Sequence, residues 1–201
     1  MMSGGGDSTG RRILIINGNP ARQRSSFSSA LAQAYHDGAI EAGHMVHTVR
    51  LADLAFDPIL HEGYQGNQPA EPDIAAVQAQ ITWAQHVVFI YPMWQFGIPA
   101  LVKGFCERTF TPGFAYDVKA KNPMQAALLR GRSARLIQTM GMPQAFYEII
   151  FRAHGGKAFR SLLSFCGFNP VRATYLGMVE QGQATRERHL ARVRDLGGKV
   201  L

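Results

Sequence analysis

Two short runs of consecutive apolar residues place the strongest limit on how this chain can fold. The first is the isoleucine-rich segment Ile13–Ile16, and the second, His86–Tyr91, is the clearest strand-length apolar segment in the sequence. Runs of this length are typical of strands that are buried on both faces, as in a parallel sheet. We therefore expect a parallel sheet with helices covering both of its faces.

Segments with helical periodicity separate these two runs from three further candidate strands. Strands that alternate with helices imply right-handed crossovers, and five of them suit a flavodoxin-like three-layer α/β sandwich with strand order 2-1-3-4-5. One glycine pair is expected to interrupt a helix, and another to end the last helix. The further strands are Met45–Leu51, Arg135–Met140 and Val171–Leu176, and the helices are Phe27–Gly43, Ile74–Ile81, Ala100–Phe110, Phe146–Phe165 with an interruption at Gly155–Gly156, and Thr185–Leu196 with a stop at Gly197–Gly198.

Length and composition predict a single domain. At roughly 100–200 residues per domain, the 201 residues suit one unit over 11–201, preceded by a flexible Gly/Ser-rich tail at 1–10. The tail lacks the apolar run of a secretory signal, and no apolar run approaches the ~18 residues of a membrane span, so we expect a cytoplasmic protein without one. The two cysteines and seven histidines show no metal-ligand spacing, so no metal site is expected.

The charge balance favours anionic partners. The chain carries 21 Lys and Arg residues against 14 Asp and Glu residues, which gives a formal net charge of +7. Such a field attracts phosphorylated cofactors as well as nucleic acid. The arginines are scattered from Arg11 to Arg194 without a basic stripe interleaved with aromatic residues, so no nucleic-acid partner is expected.

Three segments, at 17–28, 92–97 and 139–147, follow the first, third and fourth predicted strands. In open α/β sheets, ligands bind at the carboxyl ends of the strands. The first loop leads into a helix N-terminus, where free amides, serine hydroxyls and the helix dipole suit a phosphate. An ordinary helix cap without a ligand is the alternative, since the loop has neither a G-x-G-x-x-G nor a Walker pattern.

The loop after the third strand holds two large aromatic side chains, Trp94 and Phe96, between Pro92 and Pro99. Exposing such rings to water gains nothing, so they are expected to pack on protein or to cover a flat ligand. A planar aromatic cofactor would bury both rings. The alternative is that they pack under a neighbouring loop or in a dimer interface.

The segment Tyr91–Phe105, followed by Arg108, Phe110 and Gly113–Tyr116, resembles the signature of the flavodoxin-like NAD(P)H:quinone oxidoreductase family. That family includes the modulator of drug activity B proteins and the ancillary flavoproteins of potassium efflux systems. The resemblance implies a homodimeric flavoenzyme that takes a hydride from NAD(P)H onto flavin and passes it to a quinone in the same pocket. It leaves NADH and NADPH undistinguished. We favour FMN over FAD because Leu54–Pro72 and the short C-terminus offer little extra adenosine site.

The resemblance also assigns roles to individual residues. It implies that Tyr147 and His154 are catalytic, although His154 falls seven residues after Tyr147 where the family usually has six. A surface or helix-capping histidine is the alternative for His154. The substrate pocket is implied to be lined by Trp94, Phe96, Tyr116 and Met142. The flavin is implied to be bound by Asn19, Ser26, Phe27, Ser28, Pro92, Met93, Trp94, Gln95, Phe96, Thr139, Met140, Gly141 and Tyr147.

Two departures from the family pattern fall on the flavin loops. Asn19 stands where many members have His, and Thr139–Met142 replaces a Thr-Thr-Gly-Gly pattern with two methionines. Two other functions stay open: a regulatory or electron-carrier flavoprotein that acts through a protein partner, and a nucleotide-binding or structural α/β protein without flavin. Carriers of the flavodoxin type tend to be acidic, whereas this chain is basic, so the enzyme is favoured.

Overall fold

The computed structural model describes residues 10–22, 25–66, 68–122 and 125–200, so the predicted flexible tail, apart from Gly10, lies outside the described residues. Strands and helices alternate along the chain. The strands are β1 (Arg12–Asn17), β2 (Met45–Arg50), β3 (His86–Pro92), β4 (Ser133–Thr139) and β5 (Val171–Leu176); the helices are α1 (Phe27–Glu41), α2 (Pro72–Trp83), α3 (Ala100–Thr109), α4 (Gln144–Ile149), α5 (His154–Cys166) and α6 (Gln183–Lys199).

The five strands form one parallel sheet in the order β2-β1-β3-β4-β5, which confirms the predicted fold class. β1 lies between β2 and β3, and its Ile15 pairs with Thr48 on one side and Val88 on the other. The chain therefore adds strands outward in both directions from β1. In such sheets the reversal opens a crevice at the carboxyl ends of the central strands, where ligands bind.

The sheet has an apolar core on each face, because successive residues of a strand point to opposite faces. Leu14 and Ile16 of β1 pack with α2, α3 and α5, whereas Ile13 and Ile15 pack with α1 and α6. All four side chains are fully buried. This double burial confirms that the apolar run is a central strand, and it places three helices on one face and two on the other.

Both predictions based on glycine pairs are wrong in position. The chain leaves the helix at 150–153, between α4 and α5, and Gly155–Gly156 lie inside the first turn of α5. At the other end of the chain, α6 continues through Gly197–Gly198. Tertiary packing explains the difference, since a Cβ on Gly197 would lie 2.2 Å from the carbonyl oxygen of Tyr35 in α1.

Glycines on both partners let α1 and α6 approach through their backbones. A Cβ on Gly38 of α1 would lie 2.0 Å from the carbonyl oxygen of Arg194 in α6. Only residues without a Cβ allow so close an approach. The two helices therefore cover their face of the sheet as one closely joined layer.

Candidate functional site

Backbone hydrogen bonds bring the three predicted loops to one edge of the sheet. Just after β1, the Gly18 N–H donates to the Ile90 carbonyl over 2.8 Å, and just after β3, the Met93 N–H donates to the carbonyl of buried Thr139 over 2.7 Å. Each loop therefore leaves the sheet beside its neighbour. The carboxyl edge gathers the residues that the sequence analysis selects for flavin binding.

Asn17, which sequence reasoning misses, organises the loop after β1. Its side chain is buried, its Oδ1 accepts from the Asn19 N–H at 3.1 Å, and its Nδ2 donates to Ser29 Oγ at 3.2 Å. The Oδ1 of Asn19 in turn accepts from the Ala21 N–H at 3.0 Å. Such asparagine side chains hold the backbone in turns. A single polar residue at the end of a buried strand carries no distinctive signal in the sequence.

Ser26 caps helix α1 at the same edge. Its Oγ accepts from the Ser29 N–H at 3.2 Å, as expected for an N-cap. The amides of Phe27 and Ser28 have no acceptor among the described residues. Free amides and the positive end of the helix dipole together suit an anion. The predicted phosphate residues thus lie at a helix end that suits an anion.

A tight turn after β3 presents the two aromatic rings. Trp94 and Gly97 exchange backbone hydrogen bonds of 3.1 Å and 2.9 Å. The central residues, Gln95 and Phe96, have positive φ angles of 48° and 62°, as in a type I′ turn. That conformation costs a non-glycine residue about 1–2 kcal/mol, so the surrounding structure must hold the turn. The Trp94 and Phe96 side chains are each 49% exposed, so neighbouring loops leave them available to a ligand or partner.

The start of α5 supports this turn from behind. A Cβ on Gly155 would lie 2.4 Å from the Phe96 carbonyl oxygen and 2.8 Å from Gly97 Cα, so glycine is required for the contact. The ring of Phe96 also packs against that of Phe151, with 4.5 Å between centroids. Phe151 lies in the link between α4 and α5 and is a second residue that sequence reasoning misses, since its neighbours do not distinguish it from a core residue.

The loop after β4 is backed by the loop after β5. The Met178 N–H donates to the Met142 carbonyl at 3.1 Å. Among the predicted residues here, Met140 is buried, Met142 is half-buried and Gly141 is exposed. A Cβ on Gly141 would lie 3.7 Å from the Glu180 carboxylate, which is an ordinary van der Waals distance.

Free backbone amides flank the aromatic turn. Within the described part of the chain, no acceptor is present for the amides of Gln95, Phe96, Gly141 and Met142. By contrast, backbone carbonyls already accept from the amides of Met93, Trp94 and Met140. Donors on two adjacent loops suit a planar ring whose edge carries carbonyl oxygens. The residues present therefore fit a flavin, because the α1 N-terminus suits its phosphate and these amides suit the carbonyl edge of its ring.

Tyr147 lies beneath this edge. Its side chain is fully buried, and its hydroxyl oxygen accepts from the Gly156 N–H at 3.2 Å. Its ring packs edge-on against Tyr175, with 5.3 Å between centroids. His154 is exposed as the first residue of α5, and its backbone N–H donates to the Phe151 carbonyl at 3.3 Å. No hydrogen bond between described atoms joins Tyr147 to His154, so their catalytic roles stay a prediction.

Tyr116 lies far from the aromatic turn. Its ring contacts that of Phe165 at 5.2 Å between centroids, beside a cavity of about 210 Å³ between α3 and α5. Phe165 is ten residues beyond Gly155 on α5, a separation of about 15 Å at the helical rise. Within one chain, Tyr116 therefore does not reach Trp94 and Phe96. Its place in a substrate pocket stays a prediction that requires a second chain.

Buried tyrosines form the floor under the loops. The Tyr91 hydroxyl donates to Gln138 Oε1 at 3.3 Å. Burial, together with the neighbouring Tyr175 and Tyr147, raises the pKa of Tyr91 well above its ordinary value, and burial also raises the pKa of Tyr175. Tyr91 and Tyr175 therefore stay neutral at physiological pH, which keeps this part of the floor polar but uncharged.

The described residues offer neither a membrane span nor a metal cluster. None of their helices combines the length and apolar character that crossing a bilayer requires. Nor do three His, Cys, Asp or Glu side chains of the described segments come together as ligands for one metal ion.

Comparison with known proteins points to one family. The profile of a family described as having a flavodoxin-like fold matches residues 11–196. The chain is 30% identical over 188 residues to NAD(P)H dehydrogenase (quinone) 1 of Cavia porcellus, covering 79% of this chain and 65% of that protein. It is also 30% identical over 169 residues to an uncharacterized NAD(P)H oxidoreductase of Haemophilus influenzae, covering 82% of each. This chain thus spans just under two thirds of the Cavia porcellus protein.

Solved structures give the same result. The Smu.1420 protein of Streptococcus mutans UA159 matches with a TM-score of 0.80 at 28% identity, covering 94% of this chain and 99% of that one. An NAD(P)H:quinone oxidoreductase of Methanothermobacter marburgensis matches with a TM-score of 0.75 at 25% identity, covering 96% and 98%.

Proposed function

Since this chain belongs to the flavodoxin-like family that includes the NAD(P)H:quinone oxidoreductases, we propose that it is an NAD(P)H-dependent flavoenzyme that reduces quinones. One observation carries the proposal: free amides on two adjacent loops flank a half-exposed aromatic turn at the carboxyl edge of the sheet. A flat ring with acceptors along its edge and apolar faces meets both features. Bound flavin would supply two-electron hydride chemistry between NAD(P)H and a quinone, with both substrates using one pocket in turn.

FMN is the proposed form of the flavin. The α1 N-terminus offers a site for one phosphate, at the free amides of Phe27 and Ser28. The described part of the segment Leu54–Pro72 offers no adenosine site beside this phosphate site. Its end is held against α3, because Arg108 donates to the Pro69 carbonyl and to Glu71 Oε2, each at 2.8 Å. Since α3 covers the face of the sheet opposite α1, this part of the segment does not extend the phosphate site.

Tyr147 is the proposed proton donor beneath the ring. Its oxygen accepts from Gly156, so the phenolic proton stays free to be donated toward a ligand. His154, at the exposed start of α5, is the proposed second donor at the rim. The backbone donors of the two loops would stabilise negative charge on the ring edge as an oxyanion hole does.

A homodimer is the proposed assembly. Apolar side chains near the turn are open to solvent, with Ile149 71% and Ile150 61% exposed in addition to the two aromatic rings. Burial of such side chains favours association. A second chain would also allow Tyr116 to complete the pocket of its partner. The two cysteines are buried and free, which suits the cytoplasmic location that we propose with this assembly.

The test is cofactor capture followed by turnover. The purified protein is incubated with FMN or with FAD and desalted, and the retained flavin is identified by mass. Steady-state oxidation of NADPH and NADH is then measured against a naphthoquinone. We expect retained FMN and parallel double-reciprocal lines. A protein that stays colourless with both flavins contradicts the proposal, and one that retains flavin but turns over only with a protein partner favours the carrier.

Stopped-flow traces test the proton donor separately. Tyr147→Phe keeps the buried ring but removes the hydroxyl, and it is expected to slow flavin reduction or reoxidation at least about tenfold. Tyr35→Phe, at a fully buried tyrosine of α1 outside the site, is the matched control. Unchanged rates in both half-reactions of Tyr147→Phe would remove this residue from the mechanism.

A further inference from the structure

A groove runs between α6 and the loops that follow β4 and β5. It encloses about 530 Å³. One wall is a single face of α6, on which Thr185, Arg188, His189 and Arg192 recur at helical spacing. The other wall is formed by Pro143 and the start of α4, and by the loop after β5, with the residues Pro143, Gln144, Ala145, Gly177, Met178 and Gln181. Because the described lining contains three basic residues and no carboxylate, the groove, here called the α6 groove, favours an anion.

The arginines of the α6 groove differ from others on the same helix. Arg194 forms an ion pair with Asp37, with 3.7 Å between Nη1 and Oδ2, and the guanidinium carbon of Arg186 lies 5.4 Å from the centroid of the Phe27 ring. Among the described residues, neither Arg188 nor Arg192 takes part in an ion pair. Like charges one turn apart on a helix repel one another, so an anion bound between them stabilises the pair.

Local hydrogen bonds direct the α6 groove's polar groups. Arg188 donates through Nη2 to Thr185 Oγ1 at 3.1 Å, which leaves its other guanidinium N–H groups available. His189 Nε2 lies 2.9 Å from the Gly177 carbonyl oxygen and donates to it. This hydrogen bond joins α6 to the loop after β5.

The α6 groove shares a wall with the proposed flavin site. The residue after Met142 of the flavin loop is Pro143, which lines the groove. Met178, also in the lining, donates its N–H to the Met142 carbonyl at 3.1 Å. A molecule with a planar ring at the flavin site and an anionic group further out can therefore occupy both. A nicotinamide dinucleotide has this form.

We propose that the α6 groove binds the adenosine 2′-phosphate of NADPH, and that Arg188 and Arg192 make this chain select NADPH over NADH. This inference rests on the proposed function. A phosphate monoester carries close to two negative charges at neutral pH and presents three acceptor oxygens. Arg188 and Arg192, four residues apart on α6, would supply opposite charge and several N–H donors for that acceptor set. NADH has a hydroxyl at the same place, and so gains little from the arginines.

Direct binding is the first test. Isothermal titration of the flavin-loaded protein compares 2′,5′-ADP, which carries the phosphate without nicotinamide, with 5′-AMP. We expect 2′,5′-ADP to bind more tightly, and its affinity to fall about tenfold in Arg188→Gln and again in Arg192→Gln. Arg194→Gln, on the same helix but paired with acidic residues of α1, is the control and should leave binding unchanged.

Kinetics separate this inference from the proposed function. In the double variant, KM for NADPH should rise while KM for NADH and kcat with NADH stay within about twofold, because NADH does not use the α6 groove. Unchanged affinity for 2′,5′-ADP in the double variant, or equal rises in KM for both nucleotides, overturns the inference although quinone reduction persists. Loss of flavin binding or of all turnover in the unsubstituted protein instead overturns the proposed function.

Discussion

Gly197→Ala and Gly198→Ala change neighbouring residues of α6 and are expected to shift stability in opposite directions. A Cβ on Gly197 would lie 2.2 Å from the Tyr35 carbonyl oxygen, whereas a Cβ on Gly198 would lie 3.4 Å from the Gly38 carbonyl oxygen and 3.8 Å from Ala42 Cβ. The distance for Gly197 is far shorter than a van der Waals contact, whereas the two distances for Gly198 are ordinary van der Waals contacts. The same added methyl group therefore clashes with a helix backbone in one variant and fits at van der Waals distance in the other.

The magnitudes follow from two opposing effects. Alanine is the better helix former by up to about 1 kcal/mol, and both variants gain part of this. In Gly197→Ala, α1 and α6 must also separate by about 1 Å, and overpacking of this kind costs about 1–3 kcal/mol. We expect Gly197→Ala to lower the free energy of unfolding by about 1–2 kcal/mol and Gly198→Ala to raise it by about 0.5 kcal/mol.

Urea unfolding followed by far-UV circular dichroism measures both values. Gly38→Ala serves as a second overpacking variant, on the other helix of the pair, because its Cβ would lie 2.0 Å from the Arg194 carbonyl oxygen. It should be destabilised as Gly197→Ala is. If Gly197→Ala and Gly198→Ala both gain stability, α1 and α6 do not meet through their backbones, and the account of these glycines as packing residues is refuted.

Three further predictions concern other parts of the fold. Gly155→Ala should weaken flavin binding about tenfold or more, measured by fluorescence titration, because its Cβ would displace the backbone of the aromatic turn. Burial, with the charges of nearby arginines, lowers the pKa of His86 to about 3 from an unfolded value near ~6.5. Below pH ~6.5 the unfolded chain binds a proton at His86 and the folded chain does not. The free energy of unfolding is therefore unaffected by His86 above pH ~6.5 and falls by roughly 1.4 kcal/mol per pH unit from there toward pH 3. His86→Gln should remove that slope from urea unfolding at pH 7 to pH 4.5. Arg108→Met should speed proteolysis of the segment before α2 and cost about 2–3 kcal/mol, because it leaves the partly buried Glu71 without its partner.

Each of these three has a matched control. Lys157→Ala, exposed two residues along α5, should leave flavin affinity unchanged, and an equal loss there would argue against the contact at Gly155. His47→Gln, at an exposed histidine of β2, should retain the acid slope, so a slope that also survives in His86→Gln would exclude His86 as its source. Lys103→Met on the exposed side of α3 should leave proteolysis unaltered.

The elements that could be predicted from the sequence are those whose pattern of apolar residues indicates which side chains are buried. Continuous apolar runs such as Ile13–Ile16 occur almost only in doubly covered strands, so they predict both the strand and the helices on either side. Handedness and crossover rules limit the possible strand orders, but a single sequence does not fix the order, which the structure gives as β2-β1-β3-β4-β5. The carboxyl-edge loops could be located for the same reason, since parallel strands bring their ends to one edge.

Glycines could not be interpreted from local sequence alone. Gly155–Gly156 and Gly197–Gly198 look like helix breakers because glycine lacks intrinsic helix preference. In the structure, Gly155 and Gly197 stand where another backbone comes within contact distance. Contacts between segments far apart in the chain determine their positions, and local propensity carries no information about such contacts.

The placement of the aromatic site residues was also beyond the sequence. Tyr147 and Tyr116 have the same side chain, yet one is fully buried beneath the loops and the other lies near the far end of α5. Residue type predicts that a tyrosine needs a partner for its hydroxyl, but not which element supplies it. For Tyr147 the partner is the Gly156 N–H in the first turn of α5.

The turn at Trp94–Gly97 is strained before any ligand binds. Its central residues, Gln95 and Phe96, each hold a left-handed conformation that costs about 1–2 kcal/mol. A turn free to relax would instead have to be ordered when a ligand arrives, at about 1–2 kcal/mol of backbone entropy per residue. The strain and the ordering entropy are of similar size. Because contacts with Gly155 and Phe151 hold the strained turn in the folded chain, its free-energy cost is met during folding and not during ligand binding. The fold thus keeps two free amides and an aromatic ring in position before any ring binds, which is how a preorganised site gains affinity.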